Sequence, residues 1–414
     1  MFGRRVAYWR ERRGLTQRDF ATLMGQSLRW VQDVEGGRRQ TDPRLSVVER
    51  VAEVLRVPVS ALVDEGDGVA GRQCVDSVEL EIIRATLQRY DVMTGSVGED
   101  STEPVPLEAL RGRLVHARGA FQAGHFASLG RLLPALLVEA NRAAARCEEG
   151  EGSRLDAYRV LALTCDLAEA ASVKYGDGAL AFTCSQRAVA AAERSQDPVI
   201  MASTVRHLAD AMTHQGQAPG AVQLALTAAA RLERDLLARG ADGLSVLGML
   251  YLKAAMASAS IAASDDRKAA AAARAVGDLL DQAGAYAQTL GADGNALWTA
   301  FGPTNVAVHR VTAYVQLGRG ADAIAAARGI SPCARSRLPR ERRARLAVDL
   351  ARGLMQAGQR AEAVDALLQA EREAAEEVRS RPRTRELIEE LRALGVGRAE
   401  GRLRELAVRC GLSG

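Results

Sequence analysis

Most of this chain repeats one local pattern, in which a turn residue, usually glycine, separates two stretches rich in Ala and Leu. The segments QAGHFASLG, KYGDGALAF, HQGQAPGAV, AASDDRKAA, QLGRGADAI and QAGQRAEAV align on Gly124, Gly176, Gly216, Ser264, Gly318 and Gly358. Each interval, 52, 40, 48, 54 and 40 residues, leaves room for two helices. A unit of two helices cannot bury its apolar stripe alone, so such units stack on one another. In the best copies, 306–330 and 346–368, Ala313, Ala323, Ala327, Ala351 and Ala363 let paired helices approach closely. Aromatic residues make up only 4% of the chain, and neither alternating β-branched runs nor hairpin dipeptides occur. The fold class expected is all-α.

The 414 residues leave room for two or three domains. Six cysteines are scattered, the nearest pair 18 positions apart, which fits neither a zinc site nor a disulfide scaffold. The five histidines form no metal-binding pair, and P-loop, GxSxG and strand-GxGxxG patterns are missing. Asp265 with Asp266, and Glu376 with Glu377, read as solvated helix ends, and GADG at 291–294 reads as a loop. An enzyme, a metal and a cofactor are therefore not expected. No apolar run is expected to reach the roughly 18 to 20 residues of a membrane span, and the Arg-rich start lacks the core of a signal peptide, so a cytoplasmic, nucleoid-associated protein is expected.

Charge is uneven. Of 55 basic residues only Lys174, Lys253 and Lys268 are lysines, and residues 1–63 hold twelve arginines against seven acids. A basic head on a near-neutral body suits a polyanionic partner. Within the head, Val6 and Trp9 lie at helical spacing in residues 4–13, with Gly14 placed as a C-terminal cap. Thr16 caps a second helix over 17–24, which stops at Gly25, and Ser27 caps a third that ends at Gly36 and Gly37. Two helices joined by a glycine turn can set the second in a major groove.

The stretch GLTQRDFATLMGQSLRWVQDVEGGRR resembles the Cro/repressor-type helix-turn-helix of the XRE family, and residues 43–63 resemble its fourth and fifth helices. That likeness implies a five-helix, lambda-repressor-like domain over 1–63 that binds double-stranded DNA. On the third helix, Arg29 can reach guanine bidentately and Gln32 can pair with an adenine edge. Leu28 offers only a thymine-methyl contact, and Asp33 either accepts from cytosine or repels phosphate. Gln17 matches the family's phosphate-anchoring glutamine, and Arg18, Ser27, Arg38, Arg39 and Arg44 are placed to hold phosphates. Trp30 has two readings, a groove contact or interior packing. Arg10 and Glu35 match a structural ion pair in the family.

Residues 64–77, rich in Gly and acids, read as a linker, and 78–414 as a helical repeat body. The body is similar to tetratricopeptide repeats, though its intervals exceed their roughly 34 residues, and implies a right-handed α-solenoid. The first helix of each hairpin should line a groove. Its polar and aromatic residues, Tyr158, Asp166, His207, Asp210, Tyr251, Asn305, His309 and Tyr314, are the candidate groove contacts, although Asn305 has a second reading as a helix cap. A head and body of these types resemble XRE-tetratricopeptide regulators of actinomycetes and the Rgg and PlcR kind. The resemblance implies a homodimeric transcriptional regulator on an inverted-repeat operator, dimerised through its C-terminal helices and modulated by a peptide, small molecule or protein. The alternative is an interaction scaffold or antitoxin-like adaptor with a weak DNA-binding head.

Overall fold

A computed structural model describes residues 2–12, 15–38, 43–55, 57, 59, 62, 80–88, 105–146, 151–264 and 267–412. The chain forms two compact units, Met1–Glu81 and Ile82–Gly414. Among the described residues every regular element is helical.

The first unit contains α1 (Phe2–Arg12), α2 (Gln17–Met24), α3 (Leu28–Glu35) and α4 (Leu45–Leu55). Val6 and Trp9 are buried on α1, as their spacing predicts, although α1 begins two residues earlier than expected. Thr16 accepts from the backbone N–H of Asp19 while the Asp19 carboxylate accepts from that of Thr16, a reciprocal cap that fixes the start of α2. Gly25 ends α2 at φ 66°, a left-handed conformation that costs a Cβ-bearing residue more than glycine. The Ser27 hydroxyl then accepts from Trp30 N–H and starts α3. Across the unit, a Cβ added at Gly3 would lie 1.8 Å from the Val34 carbonyl oxygen, so α1 and α3 cross at a distance only glycine permits. Gly14, most of the expected fifth helix and the expected linker 64–77 lie outside the described residues.

The second unit is built of paired helices. The pairs are α5 (Leu107–Ala123) with α6 (Phe126–Arg146), α7 (Glu151–Tyr175) with α8 (Gly178–Ser195), and α9 (Pro198–His214) with α10 (Ala218–Leu237). Next come α11 (Gly240–Ser264) with α12 (Ala269–Leu290), α13 (Pro303–Gln316) with α14 (Gly320–Arg328), and α16 (Arg340–Gln356) with α17 (Arg360–Glu373). Each pair turns at a position that the sequence alignment selects, and the five turn glycines all adopt φ between 70° and 82°. The alignment misses the short α15 (Pro332–Arg337) and α18 (Ala375–Arg379), and the end, α19 (Pro382–Leu394) and α20 (Glu400–Arg409).

From α5 to α14 each helix packs on the next, and the first helices also pack on one another in the series α7, α9, α11, α13 and α16. Small residues make this possible. Ala313, Ala323, Ala351 and Ala363 are fully buried, and a Cβ at Gly320 would meet the Gly353 carbonyl oxygen at 2.5 Å.

Repetition does not foretell that the early repeats touch the late ones. α5 packs on α16, the Gly124 turn abuts Ala374, and the Gly176 turn abuts Pro382. Buried Lys174, at the end of α7, donates to Glu377 at 2.9 Å and pairs with Glu341, 203 and 167 positions along the chain. Ala127 N–H donates to Glu376 at 2.7 Å, and Glu377 is fully buried, so the reading of these two acids as a solvated helix end fails. Tertiary closure recruits them as ligands for Lys174 and a helix start.

α11 also corrects the expectation about membrane spans, because it is long and apolar enough to cross one by length and composition. Its apolar length has another use here. α11 packs against α9, α10, α12 and α13 and contributes residues along its whole length to the main core. The Gly248 position approaches Phe301 so closely that a Cβ would lie 2.0 Å from the ring.

Candidate functional site

In the first unit, the caps at Thr16 and Ser27 and the turn at Gly25 set α3 against α2 and α1. Trp30, Val31 and Val34 face inward, and Trp30 is 9% exposed, which decides its two readings in favour of packing. Leu28, Arg29 and Gln32 are exposed at helical spacing on the opposite face, with Leu28 41% exposed. Asp33 is half-buried and lies 4.0 Å from the guanidinium of exposed Arg38. Arg18 and Arg44 are also exposed, while Arg39 lies outside the described residues.

Glu35 organises the rest. Its carboxylate accepts from Arg10 Nε at 2.6 Å and Nη2 at 3.0 Å, and from Gln17 Nε2 at 2.8 Å. Arg10 also donates to the Leu15 carbonyl at 2.8 Å. This ion pair is the one the family resemblance implies, and its bidentate geometry ties the end of α3 to α1 and the start of α2. It also engages the side-chain amide of Gln17, the expected phosphate anchor. One N–H of Gln17 is committed to Glu35, and the Ser27 hydroxyl oxygen is committed to the α3 cap. These two residues therefore position α2 and α3.

The groove candidates of the second unit separate. Asp210 on α9 and His309 on α13, each the first helix of its hairpin, line a cavity of about 240 Å³. The other six do not line it. Asp166 and His207 are buried where α7 meets α9: Ser203 donates to Asp166 at 3.1 Å, and His207 Nδ1 lies 2.5 Å from the Glu169 carboxylate. Burial lifts Asp166 to about 6 and Glu169 well above the usual glutamate range, and holds His207 well below the usual histidine value. Burial thus favours the neutral forms of both Glu169 and His207, which pair inside the packed interface of α7 and α9.

Tyr158 stacks beneath Arg194 beside a separate cavity of about 270 Å³, and Tyr251 packs on Tyr286 with ring centroids 5.6 Å apart. Tyr314 lies under Arg319. Asn305 is fully buried, and its Nδ2 donates to the Thr299 carbonyl at 3.3 Å. It is neither a groove contact nor the helix cap, which is Gly302. Its bond fastens the 291–302 loop, where Leu297, Trp298 and Ala300 all have positive φ. Asp293, accepting from Thr304, and Gln122, exchanging hydrogen bonds with Asn295, hold the same loop.

The 240 Å³ cavity contains side chains that sequence patterns do not single out: Lys253, Arg342, Arg345 and Arg383, with His214. They come from four helices spread over 170 positions, and no local motif joins them. Lys253 donates to Asp210 at 2.7 Å. Burial pushes the Asp210 carboxyl up, but the adjacent Lys253 ammonium more than reverses this and holds it far below the usual range. Burial lowers His309 to about 3 and also lowers His214. Among the described residues no group of three or more His, Cys, Asp and Glu is arranged to hold a metal.

Residues 1–65 match the helix-turn-helix domain family. Among solved structures the chain is similar to Bacillus thuringiensis PlcR in complex with the peptide PapR7 and DNA, at 13% identity and a TM-score of 0.29, over 70% of this chain and 98% of that one. No curated protein matches. Among the described residues the molecule is all-α, with residues 1–65 matching the helix-turn-helix domain family and a second unit of stacked helical hairpins.

Proposed function

We propose that this protein is a sequence-specific transcriptional regulator that acts as a homodimer on an inverted-repeat operator. The observation that carries the proposal is the exposed face of α3, where Arg29 and Gln32 project from a helix whose caps and Glu35 anchor fix its orientation. Arg29 reads guanine, Gln32 reads adenine and Leu28 meets a thymine methyl. Arg18, Arg38 and Arg44 neutralise phosphates around that helix, and Arg39 joins them. Gln17 and Ser27 contribute second donors to the same backbone. Two heads on a dimer read half-sites roughly 34–36 Å apart. The exposed Leu394 and Val408 near the C-terminus belong to the surface through which copies pair.

A ligand in the body switches the regulator only if it binds one arrangement of the heads better than another. The test is binding of the purified protein to sheared DNA from its own source, beside the Arg29→Ala/Gln32→Ala double variant. A shared inverted repeat that the variant loses supports the reading. Equal enrichment of scrambled sites by both proteins rejects it.

A further inference from the structure

The cavity on the inner face of the body holds more positive charge than its own residues balance. It is formed by α7, α9, α11, α13, α16 and α19, and exposed Ala263 and Arg383 mark its mouth. Four cations line it, Lys253, Arg342, Arg345 and Arg383, against a single carboxylate, Asp210. That carboxylate is already taken by Lys253.

Of the three arginines, Arg342 and Arg383 are under-compensated, whereas Arg345 lies among Asp349, Glu377, Glu341 and Asp210, which favour its charged form. Arg345 Nε stands 3.6 Å from Asp349, a carboxylate that also accepts from Thr312 Oγ1 at 2.6 Å. The Arg342 Nε lies 3.9 Å from Glu341, whose charge is shared with Lys174, and that buried nitrogen has no hydrogen-bond acceptor among the described residues. Arg383 has no carboxylate within 4.0 Å among the described residues. The cations also act on the same neighbours. Beyond the effect of burial, Arg342, Lys253 and Arg345 push His309 toward its neutral form, Arg383 and Lys253 do the same to His214, and Arg345 lowers Arg383 itself. Like charges drawn together in a partly buried space repel unless something of opposite sign sits among them.

We propose that this cavity binds a small organic or inorganic anion carrying at least two negative charges. Guanidinium forks are suited to carboxylate and phosphate oxygens, and both classes fit three arginines that approach from two helices. The volume of about 240 Å³ lies below the roughly 300–1,000 Å³ typical of drug-sized ligands, which sets a compact anion apart from an extended peptide. Thr213 and Gln316 add neutral polar groups to the lining. The site gives a chemical class to the ligand invoked under the proposed function, yet it stands without the DNA reading.

Isothermal titration calorimetry on the full chain, without DNA and at constant ionic strength set by chloride, tests it with citrate and with pyrophosphate as probes. Saturable one-to-one binding of either probe is expected, weakened at least tenfold in Arg342→Gln and in Arg383→Gln. Arg383 is exposed at the mouth, so its variant remains informative if Arg342→Gln fails to fold. Arg231→Gln, an exposed α10 position outside the lining, should bind like the parent. Binding of citrate alone identifies the carboxylate class and binding of pyrophosphate alone the phosphate class, and both support the site. Absence of saturable heat with both probes, or equal affinity in parent and cavity variants, overturns it. Failure of the inverted-repeat experiment leaves this measurement untouched, and the reverse also holds.

Discussion

Arg29 and Arg38 are both arginines of the head, and under the proposed function their different surroundings fit them for different work. Arg29 projects from α3 beside Gln32, whereas Arg38 lies beyond the helix end next to Asp33. Arg29→Ala should cost roughly 1–3 kcal/mol at the operator and relax preference at one base position. Arg38→Ala should weaken all DNA similarly and reduce the salt slope by about one. Salt-titrated affinities on operator and scrambled duplexes check both, and identical behaviour of the two variants would remove the division between reading and anchoring. His309 shows what burial does to a single residue. Burial and the nearby Arg342 lower it to about 3, against 6.5 in the unfolded chain. Its contribution to stability is therefore complete above pH 6.5 and is lost as pH falls from there toward 3. His309→Gln should flatten the stability–pH curve in that window by up to about 1.4 kcal/mol per pH unit, as read from denaturant midpoints. The helix-turn-helix residues were legible in sequence because turn glycines, caps and apolar spacing act within a few positions. The partner of Gln17 was not, because Glu35 reaches it across a fold rather than along a helix.

Helices in this molecule are spaced by what their facing residues lack. Gly248 on α11 admits the Phe301 ring, which is fully buried against it. Gly248→Ala forces a displacement in a packed core and should destabilise the body by about 1–3 kcal/mol or more, since overpacking is not relieved by rotamer change there. Phe301→Leu in the same chain should restore part of that loss, and thermal unfolding of the single and double variants measures the coupling. Positions of the hairpins were readable because each turn needs a residue that tolerates positive φ, and Gly124, Gly176, Gly216, Gly318 and Gly358 supply it at recognisable offsets. The strained 291–302 loop left only its Gly-Pro pair as a signal. The backbone around Leu297, Trp298 and Ala300, all at positive φ, is held by Gln122 and Asn305, which act through hydrogen bonds from outside the loop.

On the scale of the molecule, the second unit is closed by charge as well as by apolar packing. Lys174 holds Glu341 and Glu377, and Arg381 also engages Glu377. Removing the cation leaves buried carboxylates under-compensated, so Lys174→Met should cost about 3–5 kcal/mol and raise hydrogen exchange in α16 and α18 together with the end of α7. Truncation after Arg340 would strip Lys174 of both partners and expose the core beneath α16, and is therefore a poor test of dimerisation. Leu394→Glu with Val408→Glu tests it better: a halved mass in light scattering with an unchanged helical spectrum would place the interface at the C-terminal surface, while an unchanged mass would move it elsewhere. By itself, the sequence determined the helices, their caps, the hairpin turns and the exposed face of α3 that carries Arg29 and Gln32, because those depend on periodicity and on residues within one or two turns. Only tertiary structure decided that Lys253, Arg342, Arg345 and Arg383 share one cavity and that Asn305 is buried away from it. Those placements follow from the way successive helices stack and close, and the separations involved leave no periodic trace in the chain.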